Sequence, residues 1–569
     1  MIKTIIYSCV FFNEKYINLI NLLLKSYKLF GNSSDDIDYL IICYPGFQNK
    51  IQAIFDNLNL NGKIWCIDIK TTFEAYYSRL KIFDYCDINL YNKILYLDCD
   101  ILVTNSINNI LDLQLENKLY ALKEGNTNHD YWGVQFFDNN PNLSAFTTGI
   151  LLFNNSLVIK DLFSEILLHI DNHIDNNLPI PVCLDQPFIV YHAFKNNLYN
   201  NNKLINLVIN NPVKFNSETI SHFPGGPVQY ESKIVKMTAF MRNIMFNLNE
   251  KCYLKNVGNE NILCVTASNI YNTQKMRYIL ESCIFQNIKL RVIGLNRPFS
   301  WIKRLKYYIE ELNKIEYENT IIVFTDAYDV FYNDNLDVIK RKFLEMNANI
   351  VFSCERLYSH QVSEKKKVYD RYAELYSDNS KYRYICAGCY MGYKKSLLNL
   401  LSNILNEDFI EKVNNANGKG DDDQCLLGYY LSENYDNVNF KLDYNCDIFY
   451  TPTADWNDKN VCIENMNKLK SSIIHVPYKS KYNHILTGLF YYKYNNLLNK
   501  KYTWGTSTIT FLEDGKMNAF GPGKYHFIDK HLLKCDFGGR EHLLKFNQDY
   551  YTFISVRKDD FEIVVGHHL

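Results

Sequence analysis

The chain has almost no net charge: across its 569 residues, 61 Lys and Arg stand against 62 Asp and Glu, a balance of −1. Without a basic surplus it is not expected to bind nucleic acid or anionic membrane, because such patches show in the balance. No apolar run approaches the roughly 20 residues of a membrane-spanning helix, so no span is expected. Met1-Ile2-Lys3-Thr4 runs directly into the first predicted strand, which predicts no signal peptide. Paired cysteines are scarce. Sixteen cysteines are scattered, several within predicted strands, and the one Cys-x-x-Cys, Cys386 to Cys389, has no second pair at zinc-finger spacing. This usage predicts buried free thiols in a reducing compartment, hence a cytoplasmic chain.

What is present is ample core. A hydrophobic share of 47% and a charged share of 22% describe a globular protein with room for two large domains and a small third. The aromatic share of 15%, mostly Tyr (45) and Phe (35), is read with the many Asn, Lys and Ile as the imprint of an AT-rich genome.

One stretch organises the rest. Ile94-Leu95-Tyr96-Leu97-Asp98-Cys99-Asp100-Ile101-Leu102-Val103 reads as a buried strand, apolar on both faces, that ends in two carboxylates one residue apart. Side chains i and i+2 project the same way, so Asp98 and Asp100 can reach one cation at the end of the sheet where ligands bind. A lone Asp-x-Asp arises by chance. Here the design recurs as Ile321-Ile322-Val323-Phe324-Thr325-Asp326-Ala327-Tyr328-Asp329-Val330.

The recurrence extends to whole units. A first strand, Thr4 to Val10, is echoed by Asn261 to Thr266, and each acidic strand is followed by an apolar segment carrying glycine, Ala145 to Phe153 and Tyr384 to Gly392. An Asp-Gln step then opens a helical pattern, at Asp185-Gln186 and Asp423-Gln424, and each half closes on a short strand ending in His222 or His475. Elements repeated in one order indicate two copies of one nucleotide-sugar-binding design. The expected division is a unit over 1–236, a connector over 237–259, a second unit over 260–498 and a small β module over 499–569. Alternating strands and helices predict largely parallel sheets covered on both faces. In the module, Asp514-Gly515 between two short strands signals a hairpin, and packing against a neighbour is its expected role.

At Tyr16, Arg79, Tyr96-Leu97-Asp98-Cys99-Asp100, Asp185-Gln186 and His222-Phe223-Pro224-Gly225-Gly226, the first unit resembles the family 8 glycosyltransferases, the retaining group that includes glycogenin and bacterial galactosyltransferases. The resemblance implies that Asp98, Asp100 and His222 hold Mn2+ against the diphosphate of a UDP-sugar. It implies that Tyr16 stacks on uracil, that Arg79 and Gly225 line the nucleotide-sugar pocket, and that Asp185 and Gln186 face the donor sugar. Carboxylate oxygens and an imidazole suit Mn2+. Two positions depart from the family: Val228 stands where a lysine is usual, leaving Lys233 or Lys236 to substitute, and Thr147 stands where asparagine is usual.

The second unit resembles the glycosyltransferase domain of the procollagen lysyl hydroxylases and the related collagen glycosyltransferases. The matching residues are Phe324-Thr325-Asp326-Ala327-Tyr328-Asp329, Phe352-Ser353-Cys354-Glu355, Asp421-Asp422-Asp423-Gln424, and His475 with Lys481. The resemblance implies Mn2+ on Asp326, Asp329 and His475, and Tyr328 stacked on the nucleoside. Lys481 would then reach the diphosphate, with Thr266, Lys303 and Glu355 also in the pocket. Asp422, Asp423 and Gln424 would lie by the transferred sugar and the acceptor. Cys386-Ala387-Gly388-Cys389 replaces the family's Asn-Ser-Gly-Gly, and Val476-Pro477-Tyr478 its Gly-Asn-Gly, which leaves the sugar open. No His-x-Asp…His pattern of an iron oxygenase is evident in the last stretch of about seventy residues.

The expectation is an α/β chain with two tandem GT-A, Rossmann-like glycosyltransferase domains and a C-terminal antiparallel β module. It is expected to be a retaining, Mn2+-dependent transferase. Its donor would be UDP-glucose or UDP-galactose and its acceptor a glycan or a collagen-like protein bearing hydroxylysine. The combination suits a large DNA virus acting in its host's cytoplasm, and a homodimer is left open. The competing reading makes only the second unit catalytic and the first a binding or dimerisation module.

Overall fold

The computed structural model describes residues 3–31, 36–127, 143–225, 230–246, 261–377, 380–435, 438–452, 470–477, 486, 490, 497, 500–512, 516–529, 531–547, 550 and 552–569. Packing divides the chain into Met1–Ile244 and Met245–Leu569.

In the first unit, β1 (Thr4–Val10) is an interior strand of a seven-stranded sheet. Its apolar residues leave it buried along nearly its whole length, as a strand covered on both faces must be. Beside it run β2 (Ile37–Cys43) and β4 (Lys93–Leu97), both parallel to it, with β3 (Gly62–Cys66) outside β2. Beyond β4 come β7 (Ile150–Asn154), β6 (Leu119–Tyr120) and β8 (Tyr199–Asn200). A second, three-stranded sheet joins β5 (Ile101–Val103), β10 (Ile220–His222) and β9 (Val208–Asn210). Asp98 to Asp100 is thus the link by which the chain passes from one sheet to the other.

The second unit repeats the plan. Its main sheet runs β12 (Leu290–Ile293), β11 (Ile262–Ala267), β13 (Ile321–Thr325), β16 (Tyr384–Tyr393), β15 (Ile350–Glu355), β17 (Phe440–Leu442). A small sheet joins β14 (Val330–Tyr332), β19 (Ile473–His475) and β18 (Phe449–Tyr450). Both sheets are more mixed than alternation predicts, because β7 and β16 run antiparallel to the acidic strands β4 and β13. A strand that is apolar on both faces reads the same in either direction, so periodicity could not supply this. Of the expected connector, residues 237–246 belong to a helix, Tyr230–Phe246, and the rest lies outside the described residues.

The C-terminal residues form eight antiparallel strands in sequence order: β20 (Lys501–Trp504), β21 (Ser507–Phe511), β22 (Lys516–Asn518), β23 (Pro522–Asp529), β24 (Leu532–Phe537), β25 (Arg540–Phe546), β26 (Thr552–Arg557) and β27 (Ile563–His567). The sheet closes on itself. Tyr502 of β20 bridges His568 just past β27, and the amide of Leu569 donates to the Lys501 carbonyl at 2.9 Å. Alternate residues such as Tyr502 and Trp504, Phe511, Tyr525 and Phe527, Cys535 and Phe537, and Phe546 fill the inside. Eight strands enclose about the volume that side chains can fill, so the interior is solid. Asp514 and Gly515, the expected hairpin signal, lie outside the described residues.

Candidate functional site

In the first unit, β4 ends where the Asp98 amide donates to the Gly149 carbonyl at 2.8 Å. The antiparallel pairing of β10 with β5 sets His222 opposite Ile101, beside the acids. Ligand atoms of Asp98, Asp100 and His222 all lie within 4.8 Å of one another. His222 Nε2 faces Asp100 Oδ1 at 3.4 Å, while Nδ1 meets Asn210 Oδ1 at 2.8 Å. An amide oxygen only accepts, so Nδ1 carries a proton, and Nε2 is the nitrogen turned toward the acids. Glycine is required at 149, since a Cβ there would sit 2.8 Å from His222 Cε1 and 2.9 Å from Asp98 Oδ2.

Cations hold both acids. Buried Arg79 reaches Asp98 Oδ1 at 3.4 Å, Asp185 Oδ2 at 3.1 Å and the Thr148 carbonyl at 2.7 Å. Burial pushes the Asp185 carboxyl up to about 6, with Arg79 pulling the other way. Lys233 Nζ lies 2.5 Å from Asp100 Oδ2 and also donates to the Gly225 carbonyl. Burial works to raise the Asp100 carboxyl, but His222 and Lys233 hold it below the usual carboxylate value. Gln186 Nε2 donates to the Phe146 carbonyl at 3.1 Å and reaches Glu124 Oε2 at 3.5 Å; Glu124 Oε1 accepts from Asn210 at 3.3 Å.

The second unit builds the same arrangement from different side chains. The Asp326 amide donates to the Gly388 carbonyl at 2.8 Å, and β19, paired antiparallel with β14, brings in His475. Its Nε2 lies 3.4 Å from Asp326 Oδ2 and 3.8 Å from Asp329 Oδ1, and the three residues again cluster within 4.8 Å. The turn after β13 thus brings an Asp-x-x-Asp pair together. Behind the imidazole, however, Nδ1 meets the Cys386 thiol at 3.5 Å instead of an amide. A Cβ on Gly388 would lie 2.1 Å from His475 Cε1. Gly388 gets there through a bulge: Phe352 of β15 pairs with Tyr390 and the next residue, Ser353, with Cys386, so residues 387–389 arch out of the ladder with β15.

Arg304 does here what Arg79 does in the first unit. It is buried and bridges Asp326 and Asp423. Burial alone would raise the Asp326 carboxyl, yet Arg304 and His475 lower it to about 2. The Asp423 carboxyl is raised by burial, against the pull of Arg304. Asp422 caps the helix Asp423–Glu433 by accepting the Cys425 amide at 3.0 Å, and its other oxygen meets His360 Nδ1 at 3.1 Å. Gln424 donates to Glu355 Oε1 at 2.8 Å and accepts from the Ala387 amide at 3.1 Å.

Other expected residues are placed less uniformly. Tyr16 is half-buried close to Tyr76 and the acids, and burial raises its phenol. The Tyr328 hydroxyl meets Ser268 Oγ at 2.9 Å at the end of β11. Thr266 is different: it is buried and its hydroxyl donates to the Thr325 carbonyl at 2.8 Å, within the sheet. Lys303 is exposed on the helix Trp301–Leu312, and its neighbour Arg304 is the residue that enters the site. Lys236 is exposed, and Lys233 is the lysine at the acids. Lys481, Gly226 and Val228 lie outside the described residues. Sequence reasoning missed Arg304, Glu124 and Asn210. For Arg304 there was a signal, a lone cation on the apolar stripe with Leu305, Tyr308 and Leu312.

Both clusters fit a divalent cation. Asp100 Oδ1 and His475 Nε2 are buried and have no hydrogen-bond partner among the described residues. Two carboxylates with one imidazole form a mainly oxygen donor set of the kind that Mn2+ and similar ions take.

Residues 40–225 match the family described as Glycosyl transferase family 8, and residues 258–495 match the PLOD GT domain. Procollagen-lysine,2-oxoglutarate 5-dioxygenase 1 of Bos taurus is 25% identical over 202 residues, covering 33% of this chain and 25% of its own length. The chain therefore spans about a quarter of that relative's length. Uncharacterized protein R699 of Acanthamoeba polyphaga mimivirus is 30% identical over 134 residues, which is 23% of this chain and 25% of that protein. Among solved structures, galactosyltransferase LgtC in complex with donor and acceptor sugar analogs aligns at 17% identity. It covers 41% of this chain and 95% of that one at a TM-score of 0.30. Each unit of the chain thus carries a glycosyltransferase domain, of family 8 in the first and of the PLOD type in the second.

Proposed function

We propose that both units transfer a sugar from a UDP-sugar with retention of anomeric configuration, each with Mn2+ as its cation. The observation that supports this most is the duplicated constellation: two acids, a histidine, and a buried arginine joining the first acid to the aspartate at the helix start. Asp98, Asp100 and His222 would hold the ion in the first unit, and Asp326, Asp329 and His475 in the second. A cation bound there supplies neutralisation of the diphosphate leaving group.

The chain's own residues do the rest. Arg79 and Arg304 keep Asp185 and Asp423 oriented at the site, where a carboxylate stabilises positive charge developing on the sugar. Gln186 and Gln424 are tied to Glu124 and Glu355 and cannot take up a proton usefully at neutral pH. An inverting reaction needs a base on the face opposite the leaving group. Without one, the acceptor hydroxyl attacks from the leaving-group side, its proton passes to a diphosphate oxygen, and an α-linked product results. Lys233, seated at Asp100, takes the place of the lysine that the first unit lacks at 228. The PLOD match supports hydroxylysine of a collagen-like protein as acceptor for the second unit, and the mimivirus relative supports a viral source.

The test is UDP release across a UDP-sugar panel with Mn2+, run on wild type, on Asp98→Ala with Asp100→Ala, and on Asp326→Ala with Asp329→Ala. Each pair should remove one activity and spare the other. A wild-type profile from the first pair would make the first unit a binding or dimerisation module. A β linkage in the product's NMR spectrum would overturn retention for the unit that made it.

A further inference from the structure

Because the β module is a meander, every second turn falls at the same end of the barrel. That end gathers the turn at Gly505, the turn 519–521 between β22 and β23, Gly538-Gly539 between β24 and β25, and the turn 558–562 between β26 and β27. Gly538 and Gly539 have φ of 58° and 74°, the left-handed pair of a tight hairpin, and a Cβ on either would meet nothing within 4 Å. The floor there is bare backbone, open above. Around it lies a cleft of about 710 Å³, lined among others by Asp536, Arg540, Glu541, Lys558 and Asp559. Its volume is that of a small-ligand site.

Two features narrow the ligand. Among the described residues of this module the other Phe, Tyr and Trp side chains are buried, yet Phe520 and Phe561, on turns that flank the cleft, are 67% and 74% exposed. The lining residues Lys558 and Asp559 lie on one of these turns and Pro522 adjoins the other, so two rings stand beside the cleft with flat apolar faces available to a ligand. The lining carries three acids and two bases, with Lys558 and Glu541 paired at 3.1 Å. Such a mixture gives no net attraction for a strongly charged ligand, but it offers donors and acceptors side by side. A ligand that uses both, and also has an apolar face to lay on a phenyl ring, is a pyranose.

We infer that this end of the barrel is a binding site for a neutral oligosaccharide, distinct from both transfer sites. The inference does not rest on transfer, because binding is read directly. Maltotriose, cellotriose and lactose are titrated calorimetrically into the full chain. The same titrations are run on Phe520→Ala, Phe561→Ala, and Arg540→Ala with Asp559→Ala. These side chains are on the surface, so the variants should melt with wild type, and UDP-sugar hydrolysis should be unchanged. Saturable binding of at least one sugar is expected, weakened at least tenfold in the Ala variants and kept in Phe561→Trp. Absence of saturable binding by all three sugars, or binding undiminished in every cleft variant, overturns the inference. A wild-type chain that binds a sugar at the cleft but hydrolyses no UDP-sugar would instead count against the transfer reading alone.

Discussion

Arg304 lies between two carboxylates, with only 5% of its surface exposed, and its removal is the sharpest perturbation the second unit offers. Arg304→Met keeps the length and the apolar stem while deleting the charge. Breaking a buried ion pair from one side costs about 3–5 kcal/mol, because the remaining charge is left uncompensated. The Asp326 side chain is 23% exposed and can draw on water, so the lower end, about 3 kcal/mol, is the better figure. For a unit of this size that is a fall in Tm of roughly 5–10 °C. The assay is thermal unfolding of the full chain with chelator present, so that no cation takes over the arginine's role. Arg79→Met provides the matching change in the first unit. The loss should shrink as pH falls, since Asp423 is already raised by burial and takes a proton readily once the guanidinium is gone. Adding Asp423→Asn should recover most of it, because removing both partners is far less costly than removing one. An Arg304→Met protein that melts within a degree or two of wild type would refute this account. So would a double variant no more stable than the single one.

Three further outcomes are expected. Burial raises the Asp443 carboxyl from 3.8 to about 6, so it favours the folded state below pH 4, and roughly 3 kcal/mol of that is lost as pH rises to 6. In Asp443→Asn, urea unfolding at pH 4, 5, 6 and 7 should lack this downward component, and identical pH profiles would exclude it. Gly388→Ala should displace His475 and abolish Mn2+ binding to the second unit, followed by EPR. Gly149→Ala should be milder, since its Cβ approaches His222 at 2.8 Å against 2.1 Å for Gly388 and His475, and equal effects would count against the packing argument. Cys386→Ala should weaken Mn2+ binding by about 10–100-fold, with Cys386→Asn restoring it as Asn210 does for His222, and an unaltered affinity in Cys386→Ala would remove the thiol from any orienting role.

How much of this was legible in the sequence depended on which physical signal each part leaves. The acidic strands and the order of elements were readable because a buried strand ending in carboxylates violates the apolar pattern and is conspicuous. The helix Trp301–Leu312 leaves such a signal too, since its apolar residues recur at a 3.6 period after the Ser300 cap. Strand direction was not, and β7 and β16 show why: nothing in an apolar run records which neighbour it will lie against. Arg304 was passed over for Lys303 because adjacent cations look alike until the helix is turned and one of them faces inward. Glu124 and Asn210 leave no local mark, since each matters only through a contact made far along the chain. The module's antiparallel character was visible in its turn signals, but its closure depends on Tyr502 meeting His568, a pairing no local pattern predicts.

The arch at residues 387–389 also sets what kind of sequence change the second unit can tolerate. Substitution at 387 or 389 leaves the strand's register alone, and both already differ from the pattern of the domain's relatives, whereas the glycine at 388 is held by its approach to His475. Loss or gain of a single residue is another matter. Beyond the arch, β16 continues through Tyr390 to Tyr393 with alternate side chains committed to opposite faces, paired to β13 on one edge and β15 on the other. A one-residue slip would turn all of them over at once and present each face with the other's side chains. The residues that flank Gly388 in this segment are therefore free to change their letters, but the segment is not free to change its length. Drift at this site should accumulate as replacements, with insertions and deletions displaced into the loops outside the ladder.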